Sequence, residues 1–175
     1  MILDKVRLFI MIALLPIMIE ARALDMKQIL TLKTVKNIAL QYPNKKGETF
    51  EHTMMAICMA ETSGGTVNYG DKQLFKKGIK KASYGVMQVR LATARFVAKS
   101  FKLEHIKAMS DVELITKMMH ESTFNTKIAT LYIVWLSEHS KSYFEMVSRY
   151  NGGKVNHPYF NKITKFKAFL KRYKL

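Results

Sequence analysis

One carboxylate stands out for its setting. The stretch Ala56-Ile57-Cys58-Met59-Ala60-Glu61-Thr62-Ser63-Gly64-Gly65 runs apolar residues up to Glu61 and follows it with two glycines. Counting back in helical steps puts Ile57, Met54 and Phe50 on the face of Glu61. Glu61 is therefore expected in the last turn of an amphipathic helix, Glu48 to Glu61, on its core-facing side. A carboxylate there must be paired or must open into a cleft, because burial penalises its charged form. Desolvation raises the pKa, which suits a general acid working near neutral pH. The plain alternative is a surface glutamate at a fraying helix end.

Three later segments bear on that choice. Ser83-Tyr84-Gly85-Val86-Met87-Gln88-Val89 places an amide and a flexible residue after the acid, and Asn125 to Leu136 is a strongly apolar run. Ser148-Arg149-Tyr150-Asn151-Gly152-Gly153 closes a short helical pattern. Taken with Glu61-Thr62, these resemble the soluble lytic transglycosylases, lysozyme-like enzymes that cut the glycan strands of peptidoglycan. That family carries a catalytic Glu with a small hydroxyl residue, a G-x-M-Q segment, an N-x-x-x-G-x-x-Y-L-x-x-L segment and an A-Y-N-x-G segment. Here they read Glu61-Thr62, Gly85-Val86-Met87-Gln88, Asn125/Ala129/Tyr132-Ile133/Leu136 and Arg149-Tyr150-Asn151-Gly152-Gly153, in the same order. Thr62 replaces the usual Ser, Ala129 a Gly and Arg149 an Ala, and the match spans roughly residues 48 to 165.

The resemblance implies an all-α or mainly α, lysozyme-like fold, with a groove between Glu61 and segments 85 to 88 and 150 to 151. It implies cleavage of the β-1,4 bond between N-acetylmuramic acid and N-acetylglucosamine, with Glu61 as catalytic acid. Gln88, Tyr150 and Asn151 would position sugar and acid, and the Tyr150 hydroxyl would bond Glu61. Thr62 or Ser63 would supply a hydroxyl. Met87 would meet a sugar face or else fill the core, and Tyr132 would meet substrate or else be a core tyrosine. Gly85 would let the backbone approach sugar. A water-using muramidase of the goose-lysozyme type and a non-catalytic peptidoglycan-binding assembly protein are the competing readings.

The elements that must position these residues follow from periodicity. Leu24 to Tyr42 has helical spacing and is closed by Pro43-Asn44. Thr93 to Phe101 continues as helix after the Gln88 segment. Ser110-Asp111-Val112-Glu113 is a capping-box signature, and Phe124 to Leu136 should be the central buried helix. Tyr143 to Tyr150 is a short helix that Asn151-Gly152-Gly153 stops. Pro158 opens a last helix with Phe160, Ile163, Phe166, Phe169 and Leu170 inward and lysines outward. Residues 62 to 82 form a polar, basic link; its Tyr69, Lys72, Lys76, Lys77, Lys80 and Lys81 are a solvated loop or a groove wall. Asp71 is the only acid between Glu61 and Gln88.

Composition sets the outer limits. The 175 residues are 49% hydrophobic and 24% charged, which describes a folded chain rather than a disordered one. A net charge of +16 calls for an acidic partner: peptidoglycan, an anionic membrane surface or nucleic acid. Composition does not choose among these, and no nucleic-acid-binding module is legible; the resemblance implies peptidoglycan glycan strands as the partner, with an envelope-spanning assembly left open. Cys58 is the single cysteine, which rules out an intramolecular disulfide and suggests a buried structural thiol. No phosphate loop or metal-ligand spacing calls for a cofactor or metal.

Residues 1–23 read as a secretory signal: Lys5 and Arg7 before the apolar run Leu8 to Ile19, then Ala21-Arg22-Ala23. The run is shorter than the ~20 residues a membrane span needs. The expectation is an exported protein of the periplasm or cell envelope, with residues 24–175 as one catalytic domain and no stable span after cleavage. Removal of the signal takes away three basic and two acidic residues, so the chain from 24 on carries +15.

Overall fold

The computed structural model describes residues 23–66, 78–173 and 175. The expected signal segment and Tyr69, Asp71, Lys72, Lys76 and Lys77 lie outside the described residues. The described chain is mainly helical: α1 (Met26–Ala39), α2 (Glu51–Thr62), a hairpin of β1 (Ser83–Tyr84) and β2 (Val89–Arg90), α3 (Leu91–Ser100), α4 (Glu104–Lys107), α5 (Asp111–His120), α6 (Ser122–Glu138), α7 (Tyr143–Tyr150) and α8 (His157–Leu170). A 3-10 turn, Lys171–Tyr173, follows α8.

Local chemistry sets the helix starts. Asp25 caps α1, accepting from the Gln28 amide at 2.7 Å while Gln28 reaches back to the Asp25 N–H at 2.9 Å. Ser110 and Glu113 form the same reciprocal box on α5, as their spacing predicts. Asn156 caps α8 by accepting from the Tyr159 N–H at 3.0 Å, with Pro158 in the first turn, where its missing N–H costs nothing.

The expected central helix is present as α6, one turn longer than its apolar run. Leu131, Ile133 and Leu136 are buried along it, as are Phe124, Ile128 and Ala129. Helix α2 is more deeply buried than an amphipathic pattern implies: Met54, Met55, Ala56, Ile57 and Cys58 are all at most 1% exposed. It packs between α1 and α8 and so is covered on several sides. The Cys58 thiol is buried as expected, and desolvation pushes its pKa up to about 12. No described helix is long and apolar enough to cross a membrane.

Candidate active site

The end of α2 is fastened in place. Ser63 takes the left-handed conformation (φ 51°) as C-cap, and the Thr62 hydroxyl donates to the Val86 carbonyl at 2.8 Å. The same oxygen accepts from the Gly65 N–H at 3.0 Å. Thr62 thereby ties the helix exit to the 85–88 turn. A side chain at Gly65 would run into Thr31 of α1, at 2.8 Å from its methyl, so only glycine permits this chain path.

The 85–88 turn is held from the other side by α6. Asn125 is fully buried; its Oδ1 accepts from the Met87 N–H at 2.8 Å and its Nδ2 donates to the Tyr84 carbonyl at 2.9 Å. Gly85 has φ 71°, and a Cβ there would collide with the Met118 carbonyl and the Asn125 amide. Its freedom serves this internal close approach, not an approach to sugar. The hairpin alternates in burial with the period of two that strands impose: Tyr84 and Val89 are buried, although Val89 also borders the cleft, while Ser83 and Arg90 are the less buried pair and line it.

A cleft of about 350 Å³ opens between these elements. Glu61 from α2 and Gln88 from the turn line it, with Ala129 and Tyr132 of α6, and Tyr150 and Asn151 at the end of α7. Ser83, Val89, Arg90, Ala92 and Thr93 line the hairpin and α3 side. Glu61 is partly buried, and its Oε1 accepts a 2.7 Å hydrogen bond from the Tyr159 hydroxyl of α8. Burial raises the Glu61 pKa; the Tyr159 hydrogen bond, the Lys162 ammonium and the Asn151 amide pull it down less strongly. Lys162, one turn after Tyr159, donates to the Ala60 carbonyl at 2.6 Å and so closes the end of α2 with a cation. Among the described residues lining the cleft, Glu61 is the one carboxylate.

Of the residues singled out in the sequence, Glu61, Gln88, Tyr132, Tyr150 and Asn151 line this one cleft. Gln88, at φ 50°, donates through Nε2 to the Gly85 carbonyl at 2.9 Å, which fixes its amide at the wall. Tyr132 stands beside Tyr150, ring centroids 5.9 Å apart.

Others are corrected. The Tyr150 hydroxyl donates to the Met87 carbonyl at 2.8 Å, so Tyr150 braces the turn while Tyr159 bonds the acid. Met87 is fully buried, and its side chain is core rather than a sugar contact. Thr62 is 1% exposed with its hydroxyl bonded to backbone, so it is a structural tie and does not line the cleft. Ser63 is exposed but does not line the cleft; its carbonyl accepts from Gln28 of α1 at 2.8 Å. Lys80 pairs with Asp111 at 3.3 Å, and neither it nor Lys81 is in the wall.

Tyr159 is the residue that sequence reasoning passed over. Tyr159, Ile163, Phe166 and Leu170 fall at steps of four, three and four, the spacing of one helix face. That pattern turns Tyr159 inward, and a buried tyrosine hydroxyl needs a partner.

No family model, curated protein or solved structure matches this chain.

Proposed function

We propose that this chain is a lytic transglycosylase with a lysozyme-like arrangement, cleaving the MurNAc–GlcNAc β-1,4 bond of peptidoglycan. The observation that carries the reading is convergence. Four segments separated by tens of residues, chosen from sequence alone, put Glu61, Gln88, Tyr132, Tyr150 and Asn151 around one cleft. A helix-borne acid facing a two-stranded hairpin across a groove supports the lysozyme-like comparison.

The chemistry fits a single acid. Desolvation favours the protonated form of Glu61, which donates its proton to the leaving glycosidic oxygen as the C1–O bond breaks. The resulting carboxylate is received by the Tyr159 hydroxyl, with Lys162 nearby. It then takes the proton of the muramic 6-hydroxyl, whose oxygen closes onto C1 to give a 1,6-anhydro ring. Glu61 ends protonated again and no water is consumed.

Ordinary glycosidases need a second carboxylate, about 5–5.5 Å from the first when retaining and 6.5–9.5 Å when inverting. The described cleft lining offers none. Glu61→Gln keeps shape and the Tyr159 acceptor but has no proton to give. It should abolish release of fragments from purified sacculi while the melting transition stays cooperative. Retention of most of the wild-type turnover would remove Glu61 from the role.

A further inference from the structure

Among the described residues that line the cleft, Arg90 is the one cation. Its setting follows from the hairpin: Ser83 and Arg90 are register partners, so their side chains stand on one face, the face turned to the cleft. Arg90 is exposed, and among the described residues no ion pair or side-chain hydrogen bond engages its guanidinium. Arg95, five residues on, shows the contrast. It donates to the Ile106 and Met109 carbonyls at 3.0 and 2.6 Å and to Asp111 at 2.8 Å, so its donors serve the fold. The donors of Arg90 remain available to whatever fills the cleft.

The other lining groups are neutral apart from Glu61. A free guanidinium on one wall then makes the occupied cleft complementary to a ligand with one nearby anionic group. Its planar fork matches a carboxylate through two parallel N–H···O bonds, which an ammonium cannot copy.

We propose that Arg90 is a specificity-determining residue that binds a carboxylate on the glycan and selects acidic strands over neutral ones. This rests on the glycan-cleaving reading of the cleft. Two sources offer that carboxylate: the lactyl group of a muramic sugar whose peptide stem has been removed, and the stem peptide itself.

Three substrates separate the cases: stem-bearing strands, stem-free strands with free lactyl carboxylates, and stem-free strands whose lactyl carboxyls are amidated. Arg90→Gln should raise KM about tenfold on the acidic strand that supplies the group, the low end for an exposed charge-assisted bond. It should leave kcat within about twofold and leave KM on the amidated strand unchanged. Arg90→Lys should recover part of the loss, because the charge returns without the fork. The acidic strand that shows the effect identifies the source. An equal KM change on the amidated strand, or none on either acidic strand, overturns the proposal. If wild type cuts none of the three, the cleavage reading fails, and calorimetric binding of the same strands decides Arg90 separately. A preference for an acidic strand that Arg90→Gln abolishes would support it, and absence of preference would overturn it.

Discussion

Tyr159 and Tyr150 make a matched pair of perturbations, because both hydroxyls are buried in one site and only one touches the acid. Tyr159→Phe keeps the ring and removes the 2.7 Å bond to Glu61. Hydrogen bonds to charged groups are worth about 1.5–3 kcal/mol, and Glu61 is sheltered enough for that range to apply. At this chain length each kcal/mol moves Tm by about 2–4 °C, so a loss of about 3–12 °C is expected where Glu61 is ionised. The sign with pH follows from linkage. The Tyr159 bond pulls the Glu61 pKa down, so its removal raises the folded value further. The penalty is then full above the variant's folded Glu61 pKa and is lost as pH falls below the wild-type folded value, because the unfolded value is common to both and cancels. Tyr150→Phe loses a neutral bond to the Met87 carbonyl, worth about 1 kcal/mol with no comparable pH dependence. Thermal melts of wild type and both variants between pH 4 and 8 read this directly. A flat Tyr159→Phe penalty, or a pH-dependent one for Tyr150→Phe, would refute the assignment of the two hydroxyls.

Three further outcomes are expected. Gly85→Ala should cost about 1–3 kcal/mol for overpacking against Asn125 and Met118, plus roughly 1–2 for the left-handed backbone, lowering Tm by about 4–20 °C. Unchanged melting would mean that the turn does not pack against α6 as described. Glu61→Gln should melt higher than wild type at pH 8, because a carboxyl whose pKa is raised by folding costs stability once it ionises; the gap should close below about pH 4. Lys162→Met removes a cation that holds the Glu61 pKa down, so the alkaline fall of the pH–rate profile should move to higher pH, and Lys162→Arg should restore it.

The sequence exposed the site better where side-chain period and residue type agreed than where tertiary partners decided. Glu61 could be read because a carboxylate stood on the stripe of Phe50, Met54 and Ile57, and the capping box at Ser110 because its two partners are local. The mainly helical class followed from recurring helical periods. The hydroxyl roles did not follow. Thr62 and Ser63 are adjacent, and only the position of the Val86 carbonyl, 24 residues on, turns Thr62 into a structural tie. Met87 and Gln88 are likewise neighbours on a tight turn, where one side chain must point into the core. Gly85 looked available to a ligand because the approach of Asn125, 40 residues later, leaves no trace in its own segment. Tyr159 was within reach of periodicity, but its partner, 98 residues earlier, was not.

The most direct measurement is the mass of the products released from purified peptidoglycan by the chain from residue 24 on. A single acid using the substrate's own 6-hydroxyl predicts fragments ending in 1,6-anhydromuramic acid, one water lighter than hydrolytic products, with Asp71→Asn leaving activity largely unchanged. Reducing-end products together with an inactive Asp71→Asn variant would contradict the account and make Asp71 the base of a hydrolase.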